Sequence, residues 1–158
     1  MTSVKTTYYP SIFDEKTSEC IYLYLKNNIN WQDGIYSKKH KVVSRKAYMP
    51  TQTTDIDDYI NQLVATALPQ DEDIDIQVLG IYVNYYQNGN DFCPAHSHSG
   101  TTQMILSFGA TRKLTVGKKE FPLKSGDVII FGSSTHKIDK EPEITEGRIS
   151  IAVFINKL

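Results

Sequence analysis

The stretch Gln77-Val78-Leu79-Gly80-Ile81-Tyr82-Val83-Asn84-Tyr85-Tyr86 decides the fold class. It is rich in β-branched and aromatic side chains and has no helical period. Four similar runs follow it, Gln103–Phe108, Arg112–Val116, Asp127–Phe131 and Arg148–Ile155, each set off by Gly, Asn or Ser. Upstream the pattern is helical. From Asp14 to Asn28, the residues Cys20, Ile21, Tyr24, Leu25 and Ile29 predict one apolar helix face. Thr54 with Asp57 three residues later resembles a capping box, with Asp where Glu or Gln is preferred. Ile56, Ile60, Leu63, Val64 and Ala67 then form a second stripe, which Pro69 stops before an acidic connector at Asp71–Asp75. Helices followed by many short strands predict an α+β chain whose β half is a sandwich or barrel. No repeat, low-complexity run or domain boundary interrupts residues 1–158, which are expected to form a single domain.

Composition limits the function classes. With 40% hydrophobic and 22% charged residues the chain reads as an ordinary globular protein. No apolar run is long enough for a membrane helix, and Met1–Pro10 is too polar for a signal peptide. Cys20 and Cys93 are too few for a disulfide framework, so a reducing, cytoplasmic setting without membrane contact is expected. The net charge of −1 is unevenly spread: residues 51–80 carry seven acids and no base. Bases concentrate instead at Lys38, Lys39, Lys41, Arg45 and Lys46, a cluster able to neutralise phosphates or simply to form a solvated, aggregation-resistant edge. His40 lies in this cluster without a partner and reads as surface.

The remaining histidines lie in the β half. In extended backbone i and i+2 share a face, so His96 and His98 can reach one metal ion. His136 follows the Asp127–Phe131 strand and supplies a distant third ligand. Imidazole suits iron, zinc, copper and nickel alike, so the trio does not select the metal. Twelve residues after His136 comes Arg148, sharing a strand face with Ser150. A guanidinium with a hydroxyl beside it makes a fork for a carboxylate. The plainer alternative is Arg148 paired with Glu146 or exposed at a strand start.

These residues resemble the AlkB-like branch of the Fe(II)/2-oxoglutarate dioxygenases. The resemblance rests on Asn84-Tyr85-Tyr86-Gln87-Asn88-Gly89, His96-Ser97-His98, the Leu106–Arg112 stretch, His136 and Arg148-x-Ser150. It extends to Phe13–Trp31, similar to that branch's leading helix ending in Trp, and to Ser44-Arg45-Lys46, similar to its basic strand. The resemblance implies a double-stranded β-helix (jelly roll) flanked by two helices. It implies that His96 and His136 hold Fe(II) with coordination positions left open for co-substrate and O2. Arg148, supported by Ser150, would hold the distal carboxylate of 2-oxoglutarate, in a pocket lined by Asn84 and Tyr86. The chemistry it implies is hydroxylation or oxidative demethylation coupled to conversion of 2-oxoglutarate to succinate and CO2.

Two positions depart from the family pattern. His98 stands where the family has Asp, which makes the ligand set His96, His98 and His136 and removes a negative charge from the metal. In the last strand Ser150, Ala152 and Phe154 replace Asn, Thr and Arg. A cupin-type reading competes: three histidines, with Gln103 where cupins carry a metal-binding Glu, and no 2-oxoglutarate. A third reading is a degenerate oxygenase that binds nucleic acid through its basic stretch. For the oxygenase, Lys38, Lys39, Arg45 and Lys46 are the expected contacts to a nucleobase, nucleotide or nucleic-acid substrate, a target base being flipped out of any duplex.

Overall fold

Asp14 caps the first helix by accepting a hydrogen bond from Thr17 N at 2.7 Å, and Thr54 Oγ1 does the same for the second from Asp57 N at 3.3 Å. These contacts belong to a computed structural model that describes residues 4–34, 45–51, 54–70 and 75–156. In chain order the elements are β1 (Thr7–Tyr9), α1 (Glu15–Asn28), β2 (Gln32–Asp33), β3 (Lys46–Tyr48), α2 (Asp55–Ala67), β4 (Val78–Tyr86), β5 (Cys93–His96), β6 (Thr102–Gly109), β7 (Arg112–Val116), β8 (Lys119–Leu123), β9 (Val128–Phe131), β10 (His136–Ile138) and β11 (Arg148–Ile155). The strands form a larger sheet in the order β1-β9-β6-β11-β4-β3-β2 and a smaller one in the order β5-β10-β7-β8, all pairs antiparallel. The architecture is α+β, a jelly roll flanked by two helices, as the sequence predicts.

Strict alternation sorts the larger sheet into two faces. Val83, Tyr85, Met104, Leu106, Phe108, Val128, Ile130, Ile149, Ile151, Val153 and Ile155 pack outward with Ile21 and Leu25 of α1 and Ile60, Leu63 and Val64 of α2. Tyr82, Asn84, Tyr86, Gln103, Ile105, Arg148, Ser150, Ala152 and Phe154 take the opposite parity and line the space between the sheets. Both predicted helices and all five predicted strands are present within a residue at most boundaries.

The predicted face of α1 needs correction. Ile21, Leu25 and Ile29 are buried, but Cys20 and Tyr24 are exposed and Ser18 is buried in their place. The cause is local: Ser18 Oγ donates to Phe13 O at 3.2 Å, seating a polar side chain against the turn that enters the helix. Tyr24 instead meets Tyr59 of α2 at 4.4 Å between ring centroids. β3 overlaps the basic strand expected at Ser44-Arg45-Lys46, while five short strands among the described residues, β1, β2, β5, β8 and β10, have no counterpart in the sequence pattern; with two to five residues each they carry too little alternation to read.

Arg112 staples the loops that close one end of the sandwich. Although only 1% exposed, its guanidinium donates to the carbonyls of Asn88, Asp91 and Asp139 and to Glu141 Oε1. No helix among the described residues is long and apolar enough to cross a membrane.

Candidate active site

A cavity of about 530 Å³ opens between the two sheets. His96 ends β5 and His136 begins β10, and the antiparallel pairing of these strands sets the two residues directly opposite each other. His98 follows β5 by two residues and turns toward the same point. The ring centroids lie 4.2 Å (His96 to His136), 5.0 Å (His96 to His98) and 5.7 Å (His98 to His136) apart. One potential ligand atom from each falls within 4.8 Å of the others.

The surroundings orient these rings. Carbonyl oxygens of Pro94 and Ser134 lie 2.7 and 3.2 Å from the Nδ1 atoms of His96 and His136. A carbonyl only accepts, so each Nδ1 carries the proton and each Nε2 keeps its lone pair for a metal. Phe131 packs on His136 and Phe154 on His98, with centroids 4.9 and 5.0 Å apart. Burial, helped by the neighbouring His96, pushes His136 down to about 4, and burial also lowers His98. His96 is raised, chiefly by its contact with the Cys93 thiol at 3.7 Å.

The far end of the cavity is cationic. Arg148 is 1% exposed and donates from Nε to Ser107 Oγ at 2.8 Å. Its guanidinium carbon stands 5.4 Å from the Tyr86 ring centre, and Arg112 stands 5.5 Å from the same ring. Among the described residues no carboxylate pairs with Arg148, which removes the alternative of a Glu146 partner. Burial, with Arg112 nearby, lowers Arg148 to about 10. Burial also raises the Tyr86 hydroxyl, so it stays protonated and able to donate.

Among the described residues no Asp or Glu lines the cavity. Gln103 faces it, and its buried Nε2 has no hydrogen-bond partner. Such a group costs free energy unless a ligand meets it. Three imidazoles with ligand atoms within 4.8 Å of one another suit a first-row divalent ion. A buried guanidinium lacking an acid, with Tyr86 and Ser150 beside it, suits a carboxylate. The residues present therefore fit Fe(II) and 2-oxoglutarate.

The structure brings together His96, His98, His136, Gln103, Asn84, Tyr86, Arg148 and Ser150 around this one space. Of the basic stretch, Lys38 and Lys39 lie outside the described residues, as does His40. Arg45 turns into the cavity, while Lys46 forms an ion pair with Asp33 at 2.6 Å across β2 and β3. The sequence reading missed Cys93 behind His96, Ser107 behind Arg148, and the two phenylalanines against the histidine rings. The odd-numbered positions of β6 put Ser107 on the inner face with Gln103, a legible signal; Cys93 carried none.

No family model matches the chain, and no curated protein matches it in sequence. Solved structures do share its fold. It is similar to an oxidoreductase of the 2OG-Fe(II) oxygenase family from Burkholderia pseudomallei, with a TM-score of 0.70 and 11% identity over 96% of this chain and 84% of that one. A prolyl-4-hydroxylase from Pseudomonas putida gives a TM-score of 0.63 at 10% identity, covering 97% of this chain and 92% of that one. A predicted oxalate decarboxylase from Thermotoga maritima gives 0.56 at 12% identity, covering 83% of this chain and 96% of that one. At these identities the likeness is one of fold.

Proposed function

We propose that residues 1–158 form one oxygenase-like domain, a non-haem Fe(II)/2-oxoglutarate-dependent oxygenase acting on a C–H bond, with His96, His98 and His136 holding the metal. One observation carries the reading: three imidazoles whose ligand atoms lie within 4.8 Å of one another face the same cavity as a fully buried arginine, and among the described residues no acid lines that cavity and no carboxylate pairs with the arginine. A buried charge without its counterion is expensive, so a fold that keeps one has a use for an anion there.

In this reading Arg148 and the Tyr86 hydroxyl take the distal carboxylate of the co-substrate, with Ser150 and Asn84 beside them. Fe(II) and 2-oxoglutarate, when bound, supply the oxidising chemistry from O2. The chain's own residues do the rest. Pro94 and Ser134 carbonyls fix the tautomers of His96 and His136. Phe131 and Phe154 exclude water from the ring edges and hold the imidazoles in place. His98, neutral where a carboxylate would be charged, would leave a bound metal its full positive charge and so favour anionic ligands beside it. A nucleotide-type substrate, as in the AlkB-like branch, stays within the proposal because it offers a phosphate to Arg45.

Adding Fe(II) and 2-oxoglutarate without oxygen tests the reading. A visible metal-to-ligand charge-transfer band in the wild type, weakened in Arg148→Ala, is the expected result. Iron binding with no band would refute 2-oxoglutarate chelation. It would favour instead a three-histidine metalloprotein of the cupin kind, the reading supported by Gln103 on the cavity wall and the oxalate decarboxylase neighbour.

A further inference from the structure

A second arginine, Arg45, lines the same cavity. Arg45 directly precedes β3, on the opposite side of β4 from Arg148. Its Nε donates to Asn84 Oδ1 at 2.9 Å and its Nη1 to Phe92 O at 3.4 Å, which fixes the half-buried guanidinium against the cavity wall. Among the described residues it forms no ion pair, and no acid lines the cavity. Among the described residues the other lining cation besides Arg148, Lys137, is already paired with Asp139 at 2.9 Å.

Arg45 and Arg148 are held by different partners, Arg45 by Asn84 and Phe92 O and Arg148 by Ser107. The charge of Arg45 reaches Tyr86 and Cys93, as that of Arg148 does, and reaches His96 at the metal end of the cavity as well. Charge balance points the same way. A divalent ion on three neutral imidazoles keeps both its charges, and the two arginines add one each. A dicarboxylate co-substrate cancels half of that total and leaves the metal end positive. The volume of about 530 Å³ exceeds what a five-carbon dicarboxylate fills and lies in the range of small-molecule pockets.

We infer that Arg45, held by Asn84 and Phe92 O, anchors a second anionic group, so that the molecule oxidised here is a small carboxylate or phosphate. The identity of the first anion rests on the oxygenase reading; the role of Arg45 is tested separately from it.

The protein is loaded with diamagnetic Zn(II), saturated with 2-oxoglutarate, and titrated with inorganic phosphate and separately with acetate. Calorimetry reads affinity, and NMR reads the arginine Nε–H resonances. Saturable binding of one anion is expected, moving the Arg45 resonance and not that of Arg148. Whichever anion binds more tightly assigns the chemical source. Arg45→Gln should weaken the anion by about tenfold, the worth of one charge-assisted contact, while Arg45→Lys keeps part of it. Affinity for 2-oxoglutarate should stay within about threefold in both variants, less than one such contact contributes.

The inference is overturned if neither anion binds the wild type, or if the Arg45 resonance stays still while one does. Equal anion affinity in Arg45→Gln overturns it as well. So does a parallel loss of 2-oxoglutarate affinity, which would put Arg45 in the co-substrate's own pocket. Should the wild type not bind 2-oxoglutarate at all, the oxygenase reading fails instead. The same titration without it then decides the role of Arg45, which requires anion binding lost in Arg45→Gln and kept in Arg148→Gln. The wild-type resonance reads the result even if a variant misfolds.

Discussion

Replacing Arg148 by methionine should raise the stability of the ligand-free protein while destroying its response to 2-oxoglutarate. Arg148 is 1% exposed and its affinity for its proton falls from 12.5 to about 10 through burial and the nearby Arg112. At about 1.4 kcal/mol for each tenfold change, keeping the charge buried costs roughly 3 kcal/mol at neutral pH, where it is ionised in both folded and unfolded chains. Methionine loses the 2.8 Å bond to Ser107 Oγ, about 2 kcal/mol for a hydrogen bond from a charged donor. The remainder favours the variant by about 1 kcal/mol, a rise of roughly 2–4 °C in Tm for a chain of this size. With metal and 2-oxoglutarate at a hundred times its dissociation constant, the wild type should gain about 2.7 kcal/mol, and the variant none. Thermal unfolding followed by circular dichroism, with and without both ligands under anaerobic conditions, measures each term. A ligand-free variant that melts several degrees below the wild type would make Arg148 a structural residue. An undiminished ligand-induced shift in the variant would refute the anchor outright.

Three other outcomes follow from the geometry. His98→Ala should lower metal affinity by more than the roughly 10–100-fold that loss of an outer partner costs, measured by competition with a chelating dye; an unchanged affinity would remove His98 from the ligand set. At Gly89 an added Cβ would run into the Glu141 backbone, and the Gly89 amide and carbonyl bond Ile144 O and Glu141 N at 2.7 and 2.8 Å. Gly89→Ala should therefore destabilise by at least about 3 kcal/mol in urea unfolding. Burial and the hydrogen bond to Asp127 push Tyr8 up to about 12. Its contribution is complete below the ordinary tyrosine value near 10 and is lost as pH rises toward about 12; Tyr8→Phe should flatten the fall of Tm across that window.

Much of this protein is written in local pattern. Asp14 and Thr54 mark two helix starts because a short oxygen-bearing side chain meets an unpaired helical amide there. Alternation alone puts Asn84 and Tyr86 on one face of β4 and Arg148 and Ser150 on one face of β11, since a strand's side-chain period is two. The three histidines and the arginine are legible as chemistry for the same reason.

What joins them is decided at long range. His96 meets His136 because β5 pairs with β10 across forty residues of intervening chain, and neither strand is long enough to announce itself. Arg148 becomes a buried cation only when β6 and β4 flank it on both sides. Arg45 reads in the sequence as one of a cluster of bases, an expected substrate contact or a solvated edge, and only Asn84 and Phe92 O set it apart by turning it into the cavity. Side-chain periodicity is a property of neighbours along the chain and survives in the sequence; the counterion that a buried charge lacks is a property of neighbours in space, and only the packed sheets define it.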